Sequence, residues 1–272
     1  MQGRTVWRIV CASIVLALSG TSAAAQASGR EPVPCDAVRC IVAAFKQHPI
    51  IIIGEAHWLR QASDFYVRLV RDQEFQETVQ DIVIEFASQN NQPLLDRYIA
   101  GENVSVEEVR HIWRDTTKVA SWESPIYADW LGAIREVNQG RPAARRLRVL
   151  AGDTAIDWSK IQTHSDWAAL EDNNISISNV VVSQVLEKKH HTLVVLGSNH
   201  VTKSGDRNGS DNTTTRIESR YPSSTYVVML LFVGALDYAL EDQLGLPQVK
   251  APALYELAGT PQAKARDRNG RS

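Results

Sequence analysis

The chain has 272 residues, enough for one large domain or two small ones, and 44% of them are hydrophobic, which suffices for a sizeable core. Lys and Arg total 29 against 31 Asp and Glu. This near balance argues against a protein that binds nucleic acid or an anionic membrane. No apolar run after Ala25 reaches the roughly 20 residues that a membrane span needs.

Residues 1–25 have the pattern of a secretory signal peptide. Arg4 and Arg8 precede an apolar stretch at 9–18, and three alanines at 23–25 form a small-residue cleavage site. The pattern predicts export to the periplasm or out of the cell after cleavage near Ala25. The expected organisation is a signal peptide at 1–25, a leader at 26–34, one α/β domain at 35–258 and a disordered tail at 259–272.

After cleavage the chain would keep two cysteines, Cys35 and Cys40. Two nearby cysteines in an exported protein favour a disulfide. In a continuous helix, residues five apart have Cα atoms about 8–9 Å apart, which exceeds the roughly 7 Å limit for a disulfide. If the two residues pair, the helix that follows must therefore begin after Cys35. The alternative is two unpaired cysteines beside that helix.

Short apolar runs predict the strands of a mainly parallel sheet, and apolar residues at helical spacing predict the helices around it. The first run is four isoleucines at 50–53, ended by Gly54. The other strands are expected at 81–86, 147–153, 191–196 and 226–232, and the helices at 36–47, 61–72, 93–99, from Ser105, from Ser124 to 138, and at 175–189. The composition of 202–215 predicts a mobile loop. The fold class is α/β, with a helical insertion or cap around 87–140.

Titratable residues lie at or just past the carboxyl ends of four predicted strands: Glu55 and His57, then Glu85, Asp153 and His200. Ligands of open parallel sheets bind beyond these ends. A buried strand has no packing reason to end in a carboxylate, which is costly to bury unpaired. Each residue alone also has a structural interpretation, such as a helix cap or a loop hydrogen bond. Their recurrence predicts one shared site.

Three motifs carry a family resemblance: G-E-A-H at 54–57, I-E-F at 84–86 and G-S-N-H at 197–200. Together they resemble the erythromycin esterase and ChaN/Tiki-like superfamily. The stretch from Trp122 to Asn138, followed by R-L-R-V-L-A-G-D up to Asp153, is similar to the esterase branch. The resemblance implies an α/β fold with its site at the strand ends.

The branches of this superfamily imply different activities. In the esterase branch a histidine activates water to open a macrolide lactone, assisted by carboxylates. In the Tiki branch, paired G-x-x-H motifs and a glutamate support metal-dependent peptide hydrolysis, and ChaN-like proteins bind haem. Here Glu55 and His57 are separated by one residue, where the esterase branch usually has two.

The leading hypothesis is an exported hydrolase that cleaves an ester, lactone or peptide bond in a small-molecule or peptide substrate. The general base is expected to be His57, oriented by Glu55 or Glu85. His200 would be the second imidazole, and Arg60 would stabilise an oxyanion or be a solvent-facing arginine. With Asp153, these residues form the predicted catalytic set.

Two questions stay open at the level of sequence. The site would either work without a metal or hold zinc or manganese through His57, His200, Glu55 and Glu85. The chain would alternatively bind haem or another small ligand, at the strand ends or on the aromatic cap, or serve as a catalytically inactive scaffold. The cap aromatics, which are also typical of a core, are Trp113, Trp122, Tyr127 and Trp130. The histidines outside the predicted site are expected to face solvent: His48, His111, His164, His190 and His191.

Overall fold

The computed structural model of the protein describes residues 32–55, 57–203, 205, 209–230, 252–257 and 260. A parallel sheet is formed by five strands: β2 (Ile50–Glu55), β3 (Asp81–Ser88), β4 (Arg148–Asp153), β5 (Thr192–Gly197) and β6 (Thr225–Met229). Their order is β4-β3-β5-β2-β6. This arrangement confirms the predicted α/β class. The predicted signal peptide lies outside the described residues, as does the predicted tail except for Thr260.

Helices connect the strands and cover the sheet. They are α1 (Ala37–Ala44), α2 (Arg60–Arg71), α3 (Gln73–Thr78), α4 (Gln92–Ala100), α5 (Val106–Arg114), α6 (Pro125–Gln139), α7 (His164–Ala168), α8 (Asn173–Val181), the π-helix Val182–Leu186 that continues α8, and α9 (Thr213–Arg220). In the part of the chain that the structure describes, no helix is both long enough and apolar enough to span a membrane.

The sheet separates two apolar cores, because successive residues of a strand point to opposite faces. Ile51 and Ile53 pack with side chains of α1 to α6 on one face. Ile50 and Ile52 pack with α8, the π-helix and α9 on the other. Every residue of β2, β3 and β5 is buried, as expected for central strands covered on both faces.

The predicted insertion at 87–140 forms much of the first helical layer. Helix α5 begins with the expected capping box between Ser105 and Glu108, and Pro125 is the first residue of α6. Helix α4 packs on β4 and α5 packs on β3. The insertion is therefore a layer on one face of the sheet, and the connection between α5 and α6 is the part that reaches the strand ends.

The structure moves the boundaries of two segments that were expected to be irregular. Pro34, assigned to the leader, begins β1 (Pro34–Asp36), which pairs antiparallel with β7 (Ala253–Tyr255). In the predicted mobile loop, Asn212 caps α9 through the backbone N–H of Thr215, and Asn212, Thr213 and Thr214 are buried. A polar Asn-Thr sequence has the composition of a loop, but here it satisfies the first turn of a helix.

The cysteines lie at the start of the described chain. Cys35 and Cys40 are joined by a disulfide, with Cα atoms 6.4 Å apart. Helix α1 begins at Ala37, after Cys35, which is the condition that helical geometry sets for this pairing. Asp36, between β1 and α1, caps the helix by accepting a hydrogen bond from the backbone N–H of Arg39.

Candidate active site

The parallel register brings the ends of β2, β3 and β5 together. Glu55 on β2 lies beside Gly197 on β5. The ladder between β3 and β5 ends at Ile84, and the register of β3 against β4 shifts between Ile84 and Ser88. Just past this point, Glu85 Oε2 accepts the backbone N–H of Gly197 at 2.6 Å. The carboxylate thus satisfies a backbone donor beyond the last paired residues, as irregularities beside a site often allow.

Glu55 and His57 form a hydrogen-bonded pair. The distance from His57 Nδ1 to Glu55 Oε1 is 2.9 Å, and the Tyr66 hydroxyl donates to Glu55 Oε2 at 3.3 Å. Whenever Glu55 is ionised it only accepts hydrogen bonds, so His57 Nδ1 is then the donor and Nε2 is the ring nitrogen left to face the site. Burial raises the pKa of Glu55, and the hydrogen bond from His57 opposes this shift.

The His57 ring lies directly against the end of β5. A Cβ at position 197 would lie 3.0 Å from His57 Cε1 and Nε2, and 3.3 Å from Glu85 Oε2. A glycine is therefore needed for the imidazole to approach this closely. The Trp122 ring meets His57 edge-on, with centroids 4.6 Å apart. The His57 side chain is 25% exposed, and within the described residues its Nε2 has no hydrogen-bond partner.

Lys118 lies between Glu85 and His200. Its Nζ donates to Glu85 Oε1 and is 3.3 Å from His200 Nε2. His200 Nε2 is also 3.3 Å from Glu85 Oε1. Burial raises the pKa of Glu85, but the hydrogen bond from His200 and the charges of Lys118 and His200 outweigh it and hold that pKa well below its ordinary value. Glu85 is therefore a buried, ionised carboxylate.

Asn174 fixes the orientation of His200. Its Oδ1 is 2.7 Å from His200 Nδ1 and also accepts the backbone N–H of Thr213 at 3.0 Å. A backbone N–H can only donate, so the atom at this position must be the amide oxygen. His200 Nδ1 then carries a proton, and its Nε2 is the atom that faces Lys118. We refer to Glu55, His57, Glu85, Lys118 and His200 together as the strand-end cluster.

Asp153 holds the segment that carries Lys118. Its two oxygens accept the backbone N–H and the hydroxyl of Thr117, each at 2.6 Å. Burial raises the pKa of Asp153 to about 6, although the hydrogen bonds from Thr117 oppose the shift. These contacts hold Thr117, the residue next to Lys118, in place, and the catalytic role of Asp153 stays a prediction.

The structure places Arg60 away from the cluster. It lies on the exposed first turn of α2, where its guanidinium binds Asp64 at 2.9 Å and Asp129 at 2.7 Å. An oxyanion role for Arg60 finds no support in these contacts. Of the other histidines, His111 and His164 are exposed as expected, whereas His48, His190 and His191 are half-buried. His190 Nδ1 lies 2.8 Å from the fully buried carboxylate of Asp81.

One cavity of the described chain lies away from these residues. It has a volume of about 690 Å³, runs along the outer edge of β4 and contains none of the strand-end cluster. Gln92 lines it. Its Nε2 donates to Val149 O at 2.8 Å and its Oε1 accepts the backbone N–H of Ala151 at 2.7 Å, so it pairs backbone groups on the outer edge of β4. The residues that line this groove include no histidine, so the predicted acid–base chemistry lies at the strand ends instead.

The predicted metal ligands do not fit a metal as they are arranged. Within the described residues, no group of three or more His, Cys, Asp or Glu side chains could hold a metal ion. Glu85 and His200 contact the Lys118 ammonium, and Glu55 is engaged by His57 Nδ1. The Lys118 ammonium occupies the position beside Glu85 and His200 that a metal ion bound by these two residues would need.

The aromatic cap does not fit a haem either. Its members are all buried in the core with α2 and β3: Trp113, Trp122, Tyr127 and Trp130. Phe86 contacts three of these rings at centroid distances of 4.7 to 6.2 Å. The four rings therefore pack the first layer and offer no open face to a planar ligand.

Four residues of the site were missed from the sequence: Tyr66, Thr117, Lys118 and Asn174. Lys118 and Thr117 lie between two helices, with no strand end to mark them. Asn174 lies in the first turn of α8, and Tyr66 lies on the buried face of α2. Only their contacts in the folded protein, a buried hydroxyl on Glu55 and a half-buried amide on His200, distinguish Tyr66 and Asn174 from ordinary helix residues.

No family model matches the chain, and no curated protein matches it significantly. Several solved structures are similar in fold. The type III effector HopBA1 is 14% identical over 78% of this chain and 90% of its own, with a TM-score of 0.48. ChaN of Campylobacter jejuni, whose structure describes cofacial haem binding, is 13% identical over 73% and 87%, with a TM-score of 0.47. A Bacillus cereus protein is 11% identical over 71% and 74%, with a TM-score of 0.47. At these values the similarities assign no activity to this chain.

Proposed function

We propose that the protein is a hydrolase that activates water with His57 and cleaves an ester, lactone or peptide bond, acting after export to the periplasm or out of the cell. The observation that carries this proposal is the Glu55–His57 pair. A buried carboxylate holds Nδ1 at 2.9 Å and leaves Nε2 as a base with no protein partner in the described residues. Histidine is the side chain that most often serves as a general base, so the residue type suits this task.

The expected reaction needs no covalent intermediate with the protein. His57 Nε2 takes a proton from water while the water oxygen attacks the carbonyl carbon. Glu55 stabilises the imidazolium that forms, as the acid does in a Ser-His-Asp triad. When the tetrahedral intermediate collapses, the bond to the leaving oxygen or nitrogen breaks and the imidazolium returns its proton to that atom. The products are an acid and an alcohol or amine.

Haem or small-ligand binding is the rival function suggested by the sequence resemblance. Because the cap aromatics are buried, a haem would have to bind at the strand ends of the described structure. There His57 Nε2 would be the available nitrogen ligand. The same preparation can be tested for this function. A Soret band that appears on haem titration, in a protein that hydrolyses nothing, would favour the rival over the hydrolase.

A panel of esters, lactones, peptides and phosphate esters, assayed with wild type and His57→Ala, tests the proposal. We expect His57→Ala to lose one activity by at least about 1,000-fold, within the range of a positioned general base. The matched control is His111→Ala, because His111 is exposed and paired with Asp115 on α5. That variant should keep full activity. Equal activity of His57→Ala and wild type, with the same circular dichroism, would exclude His57 as the base.

A further inference from the structure

We propose that Lys118 is the built-in cation of this active site: its ammonium occupies the position that a metal would need and binds the substrate oxygen on which negative charge develops. The catalytic half of this role rests on the hydrolase proposed above. The exclusion of a metal does not, because it concerns only which cation Glu85 and His200 bind.

The first support is that Lys118 and a metal ion would compete for the same two atoms. Glu85 Oε1 and His200 Nε2 lie 3.3 Å apart, and both contact Lys118 Nζ. A divalent ion held by these side chains would coordinate through this oxygen and this nitrogen. Because Asn174 keeps the other nitrogen of His200 occupied, the ring has no second atom to offer.

The second support is the count of donors on the ammonium. A lysine ammonium has three N–H groups, and in the described structure Glu85 and His200 accept at most two of them. The Lys118 side chain is 34% exposed, although the Glu85 side chain that it binds is only 2% exposed. Lys118 therefore reaches a buried carboxylate from an open position and keeps one donor for a ligand.

The third support is that the cation and the base share one wall. Lys118 Nζ lies 5.9 Å from the centroid of the Trp122 ring, and the His57 ring lies 4.6 Å from the same ring system. Asp153 fixes the backbone just before Lys118 through Thr117. One buried ring therefore lies against both the base and the ammonium.

The step assigned to Lys118 is a hydrogen bond that strengthens as charge develops. When water attacks, the electron pair of the carbonyl bond moves to its oxygen, and the free N–H of Lys118 donates to that oxyanion. Lys118 keeps its proton throughout, and the charge returns to the carbonyl when the leaving group departs. Glu85 holds the ammonium in place, as a preorganised donor requires.

The test combines metal titration with kinetics on full-length protein. Wild type, Lys118→Ala and Lys118→Met are dialysed against chelator and then titrated with Zn²⁺ and with Mn²⁺ by calorimetry. We expect no site in wild type and one new site in Lys118→Ala, because Glu85 and His200 lose their cation. Lys160→Ala is the matched control, since Lys160 also pairs with a carboxylate, Asp157, but is exposed. It should gain no site.

Kinetics test the catalytic half. Lys118→Met keeps the aliphatic stem over Trp122 and removes the charge. We expect it to lower kcat by about 100-fold to 1,000-fold, the effect of removing one oxyanion donor, with a smaller change in KM. Lys118→Arg keeps a cation and should recover part of kcat without binding metal.

Three outcomes would overturn the inference. They are one equivalent of metal in wild type that is lost in Glu85→Gln, a folded Lys118→Ala that binds neither ion, and an unchanged kcat in Lys118→Met. If Lys118→Ala does not fold, the titration of Lys118→Met replaces it. Failure of the hydrolase proposal gives a different pattern, in which no substrate is cleaved by wild type while the new metal site still appears in the variant.

Discussion

Acids, bases and a histidine are brought together at both ends of the sheet, with different results. At the start of the strands, Asp81 is fully buried and binds Arg148 Nε at 2.6 Å and His190 Nδ1 at 2.8 Å. Arg148 also donates to Gln184 O at 3.1 Å. We call these three side chains, Asp81, Arg148 and His190, the amino-end cluster. The strand-end cluster lies at the opposite ends of the same strands.

The two clusters differ in what they leave unpaired. In the amino-end cluster both Asp81 oxygens are in hydrogen-bond contact, one with Arg148 Nε and the other with His190 Nδ1, so the set is closed. In the strand-end cluster, His57 Nε2 has no partner in the described chain, and Lys118 has an N–H to spare. A closed set stabilises the fold, whereas an open set can bind and react. Both clusters combine acidic, cationic and histidine side chains. They differ in whether their polar atoms are left free to bind a ligand, and this difference distinguishes a structural cluster from a candidate catalytic one.

The sharpest test of this comparison is Glu55→Gln. Glutamine can keep the shape of the pair with His57 but cannot stabilise an imidazolium with charge. We expect activity to fall by about 1,000-fold or more, as when the acid of a catalytic triad is neutralised. The melting temperature should barely change, because burial raises the pKa of Glu55 and its charge does not stabilise the fold. A variant that melts much lower but keeps its kcat would show that Glu55 stabilises the fold and does not act in catalysis.

The opposite behaviour is expected of Asp81→Asn. Removing the charge leaves Arg148 and His190 without their buried partner. Breaking a buried pair costs about 3–5 kcal/mol, and the low end applies here because Arg148 is 39% exposed. Urea unfolding should show a loss of about 3 kcal/mol, while kcat of the folded fraction stays at the wild-type value. A fall in kcat with unchanged stability would show that Asp81 acts in catalysis rather than in folding.

The strands and their polar ends were readable from the sequence because each depends on local pattern. Runs of β-branched residues between turn signals have few other structures available. Parallel pairing then places the carboxyl ends at one edge, so Glu55, Glu85 and His200 come together once the sheet forms. This step needs only the strand direction, not the packing of the helices.

Lys118 and Asn174 could not be found in the same way. Lys118 reaches Glu85 across 33 positions of chain, through a loop whose course depends on how α4, α5 and α6 pack. Asn174 reaches His200 across 26 positions from the start of a different helix. Neither residue has a periodic or motif context, and an exposed lysine between helices is the common case. The cation of the site was therefore invisible before the tertiary contacts were known.

A third prediction separates Asp153 from Glu85 by the sign of their pH dependence. Burial raises the pKa of Asp153 from 3.8 to about 6, so the folded protein binds this proton more tightly than the unfolded chain. Stability from this group is full below the ordinary pKa and falls as pH rises to about 6. Between pH 4.5 and 7 the expected loss is about 2 kcal/mol, at about 1.4 kcal/mol per pKa unit.

Thermal or urea unfolding at several pH values measures this loss, and Asp153→Asn should remove it. Starting at pH 4.5 limits interference from Glu85. Its pKa is lowered, so its contribution is present above its ordinary pKa of 4.5 and fades only at lower pH. A stability difference between wild type and Asp153→Asn that does not vary over this range would show that Asp153 is not a buried acid with a raised pKa.

The smallest effect is expected from one methyl group, in Gly197→Ala. Gly197 has φ −55° and ψ 143°, which alanine adopts freely, so any effect must come from contacts. The new Cβ would lie 3.0 Å from His57 Nε2 and Cε1, and the ring must move by a few tenths of an ångström. Since about 1 Å of misplacement can cost roughly 100-fold, we expect about a tenfold loss of kcat with little change in stability.

Gly132→Ala is the control. Its Cβ would meet nothing closer than Tyr98 Oη at 3.9 Å, and the substitution should stabilise α6 by up to about 1 kcal/mol. If Gly197→Ala were as active as its control, the position of His57 against β5 would not be the one in which it acts as a base.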